Sequence, residues 1–131
     1  MAFLYDIVFD CHHPAVLARF WAAALEGYEV APYDEAERAR LRALGIDDVE
    51  DDPTVLVQGP TLPRYFFQRV PEGKAVKNRM HLDIEVPEIE TEVSRLVELG
   101  ATRLQAGTCE EHGSTWIPMA DPEGNEFCAF D

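Results

Sequence analysis

The residues best suited to chemistry lie in Arg79-Met80-His81-Leu82-Asp83-Ile84-Glu85-Val86. Met80, Leu82, Ile84 and Val86 are apolar, and Arg79, His81, Asp83 and Glu85 between them are polar or charged, the alternation of a half-buried strand. His81 and Asp83 therefore share a face. An imidazole beside a carboxylate is suited to general acid–base work near neutral pH. Phe3-Leu4-Tyr5-Asp6-Ile7-Val8-Phe9 is a second strand-like run, rich in aromatic and β-branched residues. Phe3, Tyr5, Ile7 and Phe9 form its apolar face, and Asp6 and Asp10 share the other with Leu4 and Val8. If the fold encloses a pocket, Asp6, Val8 and His81 point at it, and Asp6 is a second carboxylate partner for His81.

Further candidates stand in later strand-like runs. Phe66 and Gln68 belong to Arg64-Tyr65-Phe66-Phe67-Gln68-Arg69-Val70, a segment heavy with aromatics. Glu126 and Cys128 belong to the last run, which follows Asp121-Pro122-Glu123-Gly124, a strong turn signal. Trp116 lies in Thr115 to Met119 and is either core or a platform on which a planar ligand stacks. Trp21 is assigned to the core. His12-His13-Pro14 is a poor ligand pair because neighbouring side chains diverge, and His13 takes the helix N-cap. His112, in Glu-Glu-His-Gly, reads as a solvated loop residue able to reach over a pocket. Cys11 and Cys109 carry no nearby signal for thiolate activation.

The elements that must position these residues repeat. After the first strand Pro14 opens a helix that runs to Leu25 and stops at Gly27, and after the later strand Pro87 opens one that Gly100 stops. The second helix places Ile89, Val93, Leu96 and Val97 on one face. The two strand–helix units superpose at an offset of 73 residues, an odd number that accounts for the inverted parity of their strands. Further strands are expected near Tyr28 to Ala31, at Thr54 to Gln58 and at Tyr65 to Val70. In the second half they fall at Thr102 to Gln105, Thr115 to Met119 and Glu126 to Phe130. Asp34 to Leu44 reads as a charged surface helix. Asp47 to Asp52 reads as a solvated acidic loop, since it lacks the spaced ligands and central glycine of an EF-hand. Pro71 to Lys74 reads as the turn between halves. The organisation is α+β, with strand-helix-strand-strand-strand occurring twice.

A length of 131 residues, 47% apolar and 27% charged, fits one soluble domain. The net charge of -14 repels phosphate backbones and anionic lipid, which excludes nucleic acid and membrane surfaces as natural partners. The same field favours cationic small molecules. No apolar run approaches the roughly 20 residues of a membrane span. The opening Met1-Ala2-Phe3-Leu4 has neither basic segment nor cleavage site, so a cytoplasmic location is expected. Cys11, Cys109 and Cys128 are odd in number and form no CxxC pair, which argues against a disulfide scaffold or zinc finger.

Phe20-Trp21, Phe67-Gln68-Arg69-Val70, Lys77-Asn78-Arg79-Met80-His81-Leu82-Asp83, Leu99-Gly100-Ala101 and Asp121-Pro122-Glu123-Gly124-Asn125-Glu126-Phe127-Cys128 together resemble the vicinal oxygen chelate superfamily. This is the glyoxalase, bleomycin-resistance and extradiol-dioxygenase group, and the likeness is to its glyoxalase-like domain proteins. It implies one domain over 1–131, built from two βαβββ modules at about 1–70 and 78–131. Their mixed sheets would curve around a cavity, with a homodimer as the usual assembly. In family metal enzymes the ligands stand on the first and last strand of each module. Carried over, these positions read as Asp6 or Val8, Gln68, His81 and Cys128. Glutamine and cysteine in place of two carboxylates remove the hard oxygens that Ni, Mn or Fe sites use, although zinc tolerates such mixed ligands.

The function expected is therefore metal-independent binding of a metabolite or antibiotic, with no cofactor, as in the sequestration practised by bleomycin-resistance relatives. The ligand site would comprise Asp6, Val8, Phe66, Gln68, His81, Asp83, Trp116, Glu126 and Cys128. The alternative is a lyase, isomerase or dioxygenase in which one divalent metal (Zn, Ni, Mn or Fe) engages two vicinal oxygens. His81 would then be a ligand and Asp6 or Glu126 the base. Metal-free acid–base chemistry by His81 with Asp6 or Asp83 is a third possibility.

Overall fold

In the computed structural model, which describes all 131 residues, the chain divides into two units, Met1–Gly73 and Lys74–Asp131. The first contains strand β1 (Asp6–Cys11), helix α1 (Pro14–Ala24), β2 (Glu29–Val30), α2 (Glu35–Ala43), a 3-10 turn (Val49–Asp51), β3 (Thr54–Gln58) and β4 (Arg64–Arg69). Its sheet has the order β1-β4-β3-β2, with β1 and β4 parallel and the other pairs antiparallel. The second unit contains β5 (Leu82–Glu85), α3 (Ile89–Leu99), β6 (Thr102–Arg103), β7 (Cys109–Glu111), β8 (Ser114–Ala120) and β9 (Glu126–Phe130). Its sheet runs β5-β9-β8-β6, with β5 and β9 parallel and β7 added alongside β8. This is the α+β pattern of two βαβββ modules. No helix is long and apolar enough to cross a membrane.

In the first unit α1 packs on β3 and β4. Leu17, Ala18, Phe20 and Trp21 meet Val55, Val57 and Phe67, all buried, and the Phe9 ring stacks on Phe67 at 5.0 Å. Pro14 takes the first helical position, where its missing N–H is no loss. Asp34 caps α2 by accepting from the Glu37 N–H, with Glu35 and Glu37 in its first turn and Arg40 and Arg42 in its last. These charges oppose the helix dipole as it prefers. In the second unit Val93 and Leu96 of α3 lie against β8 and β9.

Several elements differ from their sequence expectation. Phe3 and Tyr5 are not on a core face. β1 begins only at Asp6, and Phe3 and Tyr5 are 84% and 55% exposed. Its partner β4 starts at Arg64, paired with Asp6, and Pro63 before it has no N–H with which to extend the ladder. β5 likewise starts at Leu82, leaving Met80 exposed. Helix α3 begins at Ile89, after Pro87, because the Val86 N–H is still paired to the Phe130 carbonyl and the chain needs residues in which to turn. Val97 is exposed. At about 100° per residue it lies well off the line through Val93 and Leu96. The Glu-Glu-His-Gly stretch is a hairpin between β7 and β8, with positive φ at both His112 (52°) and Gly113 (80°), as two-residue hairpins require.

The acidic loop is only partly solvated. Asp52 is 1% exposed and accepts hydrogen bonds from the Tyr33 hydroxyl (2.8 Å), the Arg40 guanidinium (2.8 and 3.3 Å) and the Thr54 N–H (2.9 Å). Burial, and then the Asp52 carboxylate, push the Tyr33 phenol above its ordinary range. Asp52 thereby ties α2 to the start of β3.

A second carboxylate orders the approach to β5. Glu126 accepts from the Lys74 ammonium (3.1 Å) and the Asn78 N–H (3.2 Å), while the Asn78 side-chain amide donates to the Glu126 carbonyl (3.2 Å). Desolvation pushes the Glu126 carboxyl upward. Backbone N–H donors from Glu126 and Asn78 and the Lys74 charge outweigh it, and the group falls to about 2.

Two predictions follow from these carboxylates. Asp52→Ala takes one of two carboxylate partners from the Arg40 guanidinium, which keeps Glu37, and the acceptor from the Tyr33 phenol, at a cost of about 1–3 kcal/mol. It should lower the urea midpoint at unchanged m, and a loss below about 0.5 kcal/mol would show that Asp52 does not hold α2. The folded state holds Glu126 below its unfolded value, so its stabilising contribution is complete above the usual carboxylate range and is lost as pH falls toward about 2. Carboxyl NMR should find Glu126 still ionised at pH 3, and Lys74→Met should move its titration upward. A titration at the ordinary value in the parent protein would remove Glu126 as the anchor of this loop.

Candidate ligand groove of the second unit

Register decides which side chains meet. In β5 and β9 Leu82 pairs with Phe127 and Asp83 with Cys128. In β8 and β9 Trp116 pairs with Phe130, Ile117 with Ala129 and Pro118 with Cys128. Alternation then sends Ile84, Ile117, Met119, Phe127 and Ala129 to the α3 side, where all are buried. It sends Asp83, Trp116, Cys128 and Phe130 to the opposite side. With His81 just ahead of β5 and Ser114 at the start of β8, these residues line a groove of about 480 Å³.

The groove has a polar end and an aromatic wall. His81 Nε2 lies 3.2 Å from Asp83 Oδ1, with both side chains about half exposed. The donor atoms of His81, Asp83 and Cys128 all lie within 4.8 Å of one another. Burial pushes the Cys128 thiol above its ordinary value, as do the Asp83 charge and Cys109, against a smaller opposing effect of Lys77. Cys128 is therefore a thiol at neutral pH and a weak nucleophile. Trp116 and Phe130 form the wall.

Sequence reasoning named His81, Asp83, Trp116 and Cys128, and these come together. Glu126 belongs to the same unit but serves Lys74 and Asn78 rather than lining the groove. Ser114 and Phe130 were missed. Both could have been found by counting two residues back from Trp116 and two forward from Cys128. All three cysteines are free, Cys11 is buried and Trp21 is core. A His12 ring nitrogen bonds the Pro71 carbonyl, and His112 is exposed.

Asp6, Val8, Phe66 and Gln68 belong to the first unit. Asp6 is gripped by Arg64 through two hydrogen bonds (2.8 and 3.1 Å). The same guanidinium lies 4.4 Å from the Tyr5 ring centre and 5.5 Å from that of Phe66. Val8 pairs in register with Phe66 and is exposed. The Gln68 amide donates to Asp10 at 3.4 Å. Phe66 borders a separate cavity of about 540 Å³ with Tyr33, Arg40, Thr54, Leu56 and Gln58 among its other walls.

The two sheets repeat in register. Val8 and His81 are 73 residues apart, as are Asp10 and Asp83, while Gln68 and Cys128, their last-strand counterparts, are 60 apart. Val8, Asp10 and Gln68 therefore occupy the positions that His81, Asp83 and Cys128 occupy in the second unit. The donors offered to a divalent metal follow from this. Val8 has none, Asp6 is neutralised by Arg64 and Gln68 is an uncharged amide, so Asp10, which accepts from the Gln68 amide, is the one anionic donor left at these positions, too few for a hard cation. Imidazole, carboxylate and thiol in the second unit fit zinc.

No curated protein matches the chain. Among solved structures, a glyoxalase/bleomycin resistance protein/dioxygenase family enzyme from Burkholderia phytofirmans PsJN superposes with a TM-score of 0.69 at 13% identity, covering 98% of each chain. A member of the same superfamily from Sphaerobacter thermophilus DSM 20745 gives 0.65 at 16% identity, over 99% of this chain and 97% of that one. A glyoxalase-related enzyme from Fulvimarina pelagi gives 0.63 at 20% identity, over 99% of this chain and 88% of that one. These likenesses concern the fold. The family model for the glyoxalase-like domain matches residues 6–130, and with both sheets and their repeated register accounted for, the chain belongs to the glyoxalase-like domain family.

Proposed function

We propose that the protein binds a small aromatic or cationic molecule, a metabolite or an antibiotic, in the groove of its second unit, through side-chain contacts that require no metal. The observation that carries this reading is Trp116 standing half-buried beside Phe130 and opposite an exposed Asp83 carboxylate in one groove. An aromatic wall supplies stacking of about 0.5–1.5 kcal/mol per ring pair. A charge-assisted hydrogen bond to Asp83 contributes about 1.5–3 kcal/mol. His81, its Nε2 3.2 Å from Asp83, stands beside that carboxylate and offers its ring nitrogens to the ligand. The net charge of -14 raises the local concentration of cations around the whole chain.

A metal-dependent lyase, isomerase or dioxygenase is the second reading, favoured by the proximity of the three donors His81, Asp83 and Cys128. A divalent ion held by these residues would act as a Lewis acid on a ligand oxygen. Trp116 and Phe130 would orient the ligand.

Thermal-shift screening of cationic and aromatic metabolites, run with and without a chelator, tests both readings. A saturable shift that survives chelation is expected. Trp116→Ala should weaken binding about 3- to 10-fold, the equivalent of one stacking contact. Asp83→Asn should selectively weaken the cationic ligands. Binding that chelation abolishes would transfer the groove to the metal-dependent reading, and binding indifferent to both substitutions would move the ligand out of it.

A further inference from the structure

We propose that the cavity between α2 and the open face of β3 and β4 is a second small-molecule site, one that takes an amphipathic organic cation. Its ammonium head would sit at Asp34 and Glu37, and its aliphatic or aromatic body on Leu56 and Phe66. The inference stands apart from ligand binding in the second-unit groove, because it uses none of that groove's residues.

Space and its lining are the first ground. The cavity measures about 540 Å³, within the roughly 300–1,000 Å³ of small-molecule sites. Thr54, Leu56 and Gln58 alternate with Val55 and Val57, which are buried on the α1 side, so they face away from that helix. Leu56 pairs in register with Phe66, and the two form a half-buried apolar floor flanked by the Thr54 hydroxyl and the Gln58 amide. The opposite wall is α2, held by the buried Asp52 carboxylate, which accepts from both Tyr33 and Arg40. A wall fixed in this way gives a cavity formed before any ligand arrives, which lowers the cost of binding.

Charge is the second ground. The walls carry three carboxylates, Asp34, Glu37 and Asp52, against one guanidinium, Arg40. Arg40 is already bonded to Glu37 and Asp52, so it has little pull left for an anion. Asp34 gives Oδ1 to the Glu37 N–H, and Glu37 gives Oε2 to Arg40. Asp34 Oδ2 and Glu37 Oε1 are left as acceptors for a cationic head.

The internal repeat supplies the third ground. At the register of Leu56 and Phe66 the second unit has Ala120 opposite Glu126, and Glu126 is taken by Lys74 and Asn78. That unit passes from β6 to β7 without a helix, so it has no counterpart of α2. The groove uses Cys128 and Phe130, which lie later in β9 than the counterpart of Phe66. The cavity is therefore not the groove repeated but a product of the α2 insertion.

Amide NMR of the full chain, titrated at neutral pH with phenethylammonium, the neutral phenethyl alcohol and the anion phenylacetate, tests the proposal. The cation should saturate and shift the amides of Thr54, Leu56, Gln58 and Phe66. The alcohol should bind there about fivefold or more weakly, and phenylacetate should not bind. Asp34→Asn combined with Glu37→Gln should bring the cation down to the affinity of the alcohol, since asparagine still caps a helix. Leu56→Trp should fill the cavity and abolish these shifts, whereas Trp116→Ala, in the second-unit groove, should leave them unchanged. Circular dichroism checks that each variant is folded, and if Leu56→Trp is not, the double substitution decides. Absence of shifts at the four amides, an anion bound as tightly as the cation, or cation binding untouched by the double substitution or by a folded Leu56→Trp would overturn the site.

Discussion

The groove depends on the register in which β9 lies between β5 and β8. Side chains alternate with a period of two, so a slip of one residue would send Cys128 and Phe130 into the α3 side and bring Phe127 and Ala129 into the groove. Asp121 guards against this. It is 2% exposed and accepts from the N–H groups of Glu123 and Asn125 and from the Asn125 side-chain amide, which closes the β8–β9 turn at a fixed length. Gly124 completes the turn at φ +88°, a conformation a side chain would strain. Below the turn, Glu126 ties the start of β9 to Asn78, so the strand is pinned before its first groove residue.

One topology and one register, used twice in the chain, have been put to different purposes. The first unit commits two carboxylates to cations of its own, Asp6 to Arg64 and Asp52 to Arg40, while Asp10, the counterpart of Asp83, accepts from the Gln68 amide. It also carries the α2 insertion, whose residues Glu37 and Arg40 help to wall the cavity beside β3. In the second unit Asp83 lies beside the His81 imidazole and remains open to solvent. An unneutralised carboxylate beside aromatic rings is a recognition element, whereas a carboxylate bound bidentately by arginine is an element of stability. The second unit is the better candidate for binding because its exposed carboxylate shares one groove with an imidazole and two aromatic side chains, His81, Trp116 and Phe130.

Much of this arrangement was legible in the sequence because it is local. Strict alternation put His81 and Asp83 on one face without reference to any neighbour, and the Asp-Pro-Glu-Gly turn placed the start of β9 at Glu126. Helix α2 was legible as a charged surface helix over Asp34 to Leu44, and it runs Glu35–Ala43. What could not be read depends on residues distant in the chain. β1 begins only where its partner does, at Arg64 after Pro63, and Phe3 and Tyr5 are exposed for that reason. Asp52 sits in a run of acids that looks solvated, and only Tyr33 and Arg40, brought over by α2, make its burial tolerable. Asp6 seemed available until β4 placed Arg64 opposite it. Charge pairing across strands is a property of register, and one sequence displays register only through its turns.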